Sequence, residues 1–328
     1  MKNGRKLPIS AQTLSFFGLM ALCFVAFGLA KPVYATLDNL YAMVLSACLS
    51  AVLATAMGVV IAAGGFDLCV GHTAGFATLM CGYFLRDIGL DAYASIALAV
   101  LLAAVIGALN GLLISRLGIS SFIVTLGMQF VLVGTRQWIT AGNSYRANSV
   151  IKDIVQGNAL WGVSNMVVIS VIFLAIVGLV MQKTAFGRKM QFVGANIVTS
   201  EFTGIPVRLM TFLAFLISGI IAGIVGILQF SKLTSATINI GDGWLFSAMT
   251  IAVFSGVIFG RFKVHGIALV ALLITMITTG INMLGVSSAW TNFVLGVILL
   301  LSLFGGKYIH FGTHDRKRSG AHERTKTV

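Results

Sequence analysis

Long apolar runs alternate with short polar breaks along this chain, and the lengths of the runs set its architecture. A helix rises about 1.5 Å per residue, so crossing roughly 30 Å of hydrocarbon takes about 20 residues. Apolar runs of that order stand near 11–30, 40–63, 73–88, 92–115, 119–140, 163–182, 208–230, 243–260, 265–284 and 288–305. In lipid only helices or closed barrels satisfy every backbone group, and these runs are too uniformly apolar for barrel strands. The pattern predicts an all-α integral membrane protein of about ten transmembrane helices, with the third, eighth and tenth runs the shortest.

Two interruptions carry more information than the runs. The first is Gly64-Gly65-Phe66-Asp67-Leu68-Cys69-Val70-Gly71-His72. Glycine weakens a helix, and a carboxylate deep in lipid is costly. Two readings stand: a loop at the inner membrane surface with Asp67 capping the next helix, or a buried junction between broken helices. The second is favoured, because a polar backbone break at membrane depth needs shelter inside protein. The other interruption spans 235–243 and contains Ser235, Thr237, Asn239, Gly241, Asp242 and Gly243. Alternation of the spans puts it on the opposite side, where Asp242 reads first as a cap in an outer loop. Broken or re-entrant segments near 64–72 and 235–243, one in each half, would fit an inverted repeat. The two halves share no extended identity. Within the spans, Asn110 and Gln129 are placed facing the bundle interior, where interhelical hydrogen bonding is their ordinary role. Gly219 with Gly223, at four-residue spacing, points to close helix packing.

Composition agrees with the pattern. Hydrophobic residues make up 58% of 328 and charged residues 9%, where a soluble domain carries about 25% charged. The formal net charge of +13 does not indicate nucleic acid, since the basic residues sit in the breaks and at the ends with no aromatic-interleaved stripe. They serve instead to orient the chain. With the N-terminus inside, 16 of the 22 Lys and Arg fall on the cytoplasmic side and 6, Arg136 among them, on the outer side or its membrane edge. Both termini are therefore expected in the cytoplasm of a cell whose inner membrane holds the protein. Residues 1–10 form the N-terminal segment, 11–305 the transmembrane domain and 306–328 a basic cytoplasmic tail.

Two connections are long. Residues 141–162 form the longest outer one, polar and rich in Asn and Ser. Residues 183–207 form the longest inner one, in which Gln191 to Phe202 can make a short amphipathic helix closed by Pro206. Such a helix either rests on the membrane or docks into a partner.

Absences narrow the function. No GxxxxGK[ST], GxSxG or HExxH motif occurs, and neither the five histidines nor the four cysteines show a metal-ligand pattern. No cofactor, metal or catalytic group is expected. A transport subunit fits better than a membrane enzyme, and by composition alone a secondary transporter of a small polar solute remains open.

Particular segments go further. GGFDLCVG at 64–71, NGLL at 110–113, SSFIVTLG at 120–127, TAFGRKMQFVGAN at 184–196, TGIPV at 203–207, SGIIAG at 218–223 and INMLG at 281–285 resemble the membrane-spanning permease subunit of ribose-type bacterial ABC sugar importers. The resemblance implies a pathway for a sugar or sugar-like solute. It also implies partners: cytoplasmic ATPase subunits, a second permease copy or homologue, and a periplasmic solute-binding protein. It places ATPase coupling on Gly187, Arg188, Gly194, Asn196, Glu201 and Gly204. Gly64, Gly65, Asp67, Asn110, Gln129 and Asp242 are the residues expected at the pathway or its helix breaks. Cys69 and His72 stand where the family usually has serines, and 254–261 departs from its glycine-rich pattern.

Overall fold

The computed structural model describes residues 11–160, 163–260, 262–287 and 290–301. The first ten residues and the basic tail lie outside the described residues. The chain forms helices α1 (Ala11–Ala30), α2 (Leu37–Ala62), α3 (Val70–Arg86), α4 (Ala92–Leu117) and α5 (Ser121–Thr140). These are followed by α6 (Ser149–Gln156), α7 (Asn165–Lys183), α8 (Ala185–Ala195), α9 (Ile197–Phe202), α10 (Val207–Leu233), α11 (Trp244–Phe259) and α12 (Val264–Met283), and then by α13 (Trp290–Leu301).

All ten apolar runs are helical over most of their length. Seven of the helices, α1, α2, α4, α5, α7, α10 and α12, are long and apolar enough to cross a membrane. Two of the three shortest runs became short helices, α3 of 17 residues and α11 of 16, and the third is described as helix over Trp290–Leu301. At 1.5 Å per residue α3 and α11 reach only about 25 Å. Each follows a long helix, α2 of 26 residues and α10 of 27, across one of the two breaks. Long helix, break and short helix thus occur twice. α10 packs on α3 and α4, and α2 packs on α11 and α12, so each long helix is sheathed by the following elements of the other half.

The core lies where these helices cross. α2 buries most of its length through Leu49, Val52, Ala56, Met57 and Val60. α10 and α4 touch backbone to backbone: a β-carbon on Gly219 would run into the Ala103 carbonyl oxygen, and one on Gly107 into that of Phe215. The small-residue spacing read in α10 therefore finds its partner in α4. By contrast Leu14, Leu22 and Leu29 of α1 are exposed, as a helix facing lipid requires.

The two long connections are more ordered than their composition suggests. The outer one holds α6, capped by the Asn148 side chain accepting from Ile151 N–H at 3.0 Å. It also supplies two short strands, β1 (Tyr145–Arg146) and β2 (Asn158–Leu160), and β3 (Val163–Ser164) follows directly after it. β1 pairs antiparallel with β4 (Ser235–Ala236), Tyr145 opposite Ala236, and β2 pairs with β3. In the inner one, the single helix expected over Gln191–Phe202 is replaced by two. α8 starts six residues earlier and stops at Asn196, whose side chain leaves α8 to accept the Thr199 N–H at 2.9 Å and cap α9. A side chain that competes for backbone donors favours a cap over a helix interior.

Candidate functional site

From Asp67 onward the first break is buried, while Gly64 and Phe66 stay exposed, and polar groups of the buried part are paired by side chains from other helices. Asp67 is 3% exposed. Its carboxylate accepts the Ser218 hydroxyl of α10 at 2.6 Å, and from Cys69 both the backbone N–H and the thiol at 3.1 Å. Of the two readings the favoured junction between broken helices is the one found, and the cap by Asp67 is corrected: α3 has Cys69 at its N-cap with no side-chain cap bond. Asp67 instead ties the N–H just outside the helix to α10. Asn110 of α4, 1% exposed, donates to Cys69 Sγ at 3.1 Å. Two more backbone groups of the break are met by α5, where Ser121 accepts the Phe66 N–H at 3.2 Å and Thr125 the Leu68 N–H at 3.1 Å. Ser218 lies eleven residues into the 27 of α10, which sets Asp67 near mid-helix depth and away from a surface loop. Gly64 has φ +85°, a left-handed turn that glycine adopts without strain, and Gly65 lies against Phe215.

The second break does not stay on the opposite side of the bundle. From the β1–β4 pair the chain runs along α3, past Gly82 at Tyr145 and Gly75 at Ile240, down to Gly71 at Gly241. A β-carbon on Gly241 would lie 2.5 Å from the Gly71 carbonyl oxygen, so the two breaks meet backbone to backbone at the first turn of α3. Asp242 is not a cap either, because the N-cap of α11 is Gly243 and the helix start has no side-chain cap bond. Its carboxylate lies 3.5 Å from Arg136 and 3.6 Å from His72.

Arg136, counted at the membrane edge of its run, lies near the end of α5 and is only 2% exposed. One guanidinium nitrogen donates to the Ile240 carbonyl at 2.5 Å, and the other lies 3.2 Å from His72 Nδ1. Satisfying a non-helical carbonyl inside an apolar bundle requires a buried donor, and a guanidinium brings several in a fixed fork. Ser121, Thr125 and Arg136 lie along one stripe of α5, so one helix holds both breaks. The sequence signal was available: a lone arginine in an apolar run, at helical register with two hydroxyl residues. Gln129 is only half-buried on the same helix.

The residues expected at the inner loop occupy a two-helix shelf. Gly187 is buried against the Met181 backbone, and Gly194 sits so close to the first break that a β-carbon would strike the Ala62 carbonyl oxygen and come within 2.9 Å of Gly64 N. Arg188 is exposed and donates to the Lys183 carbonyl at 3.0 Å. Asn196 and Glu201 are exposed, and Gly204 makes the left-handed turn (φ +75°) that follows α9. Phe192, Ile197, Val198 and Phe202 add an apolar face, Phe202 being 89% exposed.

Paired broken helices meeting inside a lipid-facing bundle, with a shelf of short helices at one end, are the build of a solute permease. The chain belongs to the family described as branched-chain amino acid transport system / permease component, which it matches over residues 39–303. It is a multi-pass inner-membrane permease component of an ABC solute importer, a transport subunit. It is 32% identical over 278 residues to the fructose import permease protein of Bifidobacterium longum (strain NCC 2705), covering 82% of this chain and 78% of that one. With the ribose import permease protein of Escherichia coli (strain K12) it shares 27% over 310 residues, 92% of this chain and 96% of that one. The autoinducer 2 import system permease protein of Photorhabdus laumondii is 26% identical over 300 residues, 88% and 90% of the two chains. The solutes in these names differ, so the resemblance to ribose-type systems narrows to the ABC permease class and does not fix a ribose carrier.

Proposed function

We propose that this chain forms the membrane pathway for a sugar or sugar-like solute delivered by a periplasmic binding protein, in an importer driven by cytoplasmic ATPase subunits. It pairs with a second permease copy or a homologue. The observation that carries this reading is near full-length similarity to permeases named for fructose and ribose import. The two breaks are the pathway elements, since unwound backbone at membrane depth is kept where it lines a route or moves.

The shelf of α8 and α9 is the coupling surface. Its exposed face of Phe192, Ile197, Val198 and Phe202 is rimmed by Arg188, Lys189 and Glu201, an apolar centre with a charged edge of the kind that docks a partner. A groove of about 410 Å³ runs between the two helices past Arg188, Phe192 and Thr199. The direct test is reconstitution with the cognate ATPase and binding protein, screening solutes for stimulated hydrolysis. Arg188→Glu and Phe202→Glu, both exposed and remote from the core, should abolish stimulation or assembly while the permease stays folded. Wild-type assembly and stimulation in both variants would place the lever elsewhere. Solute uptake by membranes without the ATPase would replace this reading with secondary transport.

A further inference from the structure

The cleft between α2, α10 and α11 has a chemistry that neither the breaks nor the shelf uses. It measures about 210 Å³ and is lined by Ser46, Ser50, Gln229, Lys232, Trp244 and Ser247 among apolar neighbours. Lys232 is the penultimate residue of α10, at the end of the bundle that carries the β1–β4 pair. Its ammonium reaches across to α2 and donates to Ser46 Oγ at 2.8 Å. That hydroxyl is itself spent as a donor on the Ala42 carbonyl at 3.0 Å, so it can only accept from the lysine.

The surplus here is of positive charge, set among hydroxyl and carboxamide side chains that can donate. An ammonium has three N–H groups, and one is used. Among the described residues no carboxylate lies within ion-pair distance of Lys232, and the side chains of Ser50, Gln229 and Ser247 have no hydrogen-bond partner in the protein. The polar lining is half-buried throughout. A cation held in such a cleft, with hydroxyl and amide donors turned toward the same space, lacks an acceptor-rich anion. A tetrahedral oxyanion presents several acceptor oxygens at once and matches this set better than a two-oxygen carboxylate.

We propose that this cleft is an oxyanion site in which Lys232 holds a phosphate group, carried either by a lipid headgroup of the adjoining leaflet or by a soluble phosphate ester. Ser50, Ser247 and Gln229 complete its hydrogen bonds, and Trp244 closes one side. The site stands independently of the solute and of the coupling surface proposed above.

The test uses the full chain, with thermal unfolding and tryptophan fluorescence as readouts. One arm places it in phosphatidylcholine nanodiscs with increasing phosphatidylglycerol, and the other titrates inorganic phosphate and glycerol 3-phosphate. Wild type should be stabilised in at least one arm. Lys232→Gln should weaken that response by about tenfold or more, as loss of a charged hydrogen bond implies. Lys232→Arg and the remote outer variant Lys31→Gln should retain it. A response to phosphatidylglycerol alone assigns the site to lipid, and a response to glycerol 3-phosphate or phosphate assigns it to a soluble ester. No response in either arm, or an equal response in Lys232→Gln, overturns the proposal. If Lys232→Gln does not fold, Ser247→Ala and Gln229→Leu decide: wild-type binding in both overturns it equally.

Discussion

Arg136→Met removes the donor that holds the second break to α5, and the cost can be worked from the contacts. A hydrogen bond to a charged group contributes about 1.5–3 kcal/mol, and a buried carbonyl left without a donor costs about 1–3 kcal/mol. Both apply to Ile240, whose carbonyl Arg136 meets at 2.5 Å, although the two figures overlap in what they count. The pair with Asp242 adds little, because that carboxylate's side chain is 53% exposed. Against these losses stands relief from burying a guanidinium, several kcal/mol in an apolar interior. Methionine restores packing volume but leaves both the Ile240 carbonyl and the His72 imidazole without their partner. The overlapping losses come to about 3–5 kcal/mol and the relief returns most of them, so the net expectation is a loss of about 1–2 kcal/mol, a factor of about 5 to 30 in the folded-to-unfolded ratio. Reversible unfolding in mixed micelles would measure it. Arg136→Lys keeps the charge but not the fork, so it should fall between wild type and Arg136→Met. Asp242→Asn should cost no more than about 1 kcal/mol. A Met variant as stable as wild type, or an Asp242→Asn loss as large as that of Arg136→Met, would refute the carbonyl tether as the main role.

Further outcomes follow from the same geometry. Asp67→Leu should yield little folded protein by fluorescence-detected size exclusion, because Ser218 and Cys69 lose their acceptor at about 1–3 kcal/mol each, while Asp67→Asn should keep most of it; a well-folded Leu variant would contradict this. Gly219→Val should cost about 3 kcal/mol or more through collision with the Ala103 backbone, whereas Gly18→Val, with open space around it, should melt like wild type. Burial, and after it the 2.7 Å hydrogen bond to Asp87, push Tyr145 from 10.0 up to about 12. A raised acid binds its proton more tightly when folded, so this contribution is full below pH 10 and is lost between there and about 12. Tyr145→Phe should therefore cost about 0.5–1.5 kcal/mol at neutral pH and show a shallower alkaline decline. For topology, in a cysteine-free background, Ser144→Cys should react with an impermeant thiol reagent in intact cells and Ala185→Cys should not; the reverse pattern would invert the orientation.

The spans were legible because membrane thickness turns run length into a direct measure of a helix, and the third and eighth runs, among the shortest, formed the short helices α3 and α11. The breaks were legible too, since Gly64-Gly65 with Asp67, and Gly241 with Asp242, stand out in apolar surroundings. Their meeting was not. The depth of a break depends on where the paired helix offers a partner, and nothing local to Asp67 names Ser218, 151 residues away. The role of Arg136 was hidden for a similar reason: a charge count places a cation near a span end but names no partner, and only the tertiary structure shows the Ile240 carbonyl that it meets. Asp242 was misread as a cap because Asp before an apolar run usually is one, and a nearby guanidinium outcompeted the helix end. At the shelf, Asn196 carried a readable N-cap signal inside the stretch read as one helix, and amphipathic periodicity masked it.

Glycine contacts at both ends of the first break have a mechanical consequence. Packed helices normally slide against one another by small rotamer changes, and the side chains between them act as soft spacers. Between Gly194 and the Ala62–Gly64 turn, and again between Gly71 and Gly241, no such spacer exists. Backbone bears on backbone at each joint, and the intervening chain is pinned by Ser121, Thr125 and Ser218. A displacement of α8 of a few tenths of an ångström therefore has little slack to be absorbed in. It is passed to the start of α3, and from there to the segment that descends from the opposite end of the bundle. The compliance of this train is set by main-chain torsions at a handful of glycines, where even one added methyl group would lengthen the linkage.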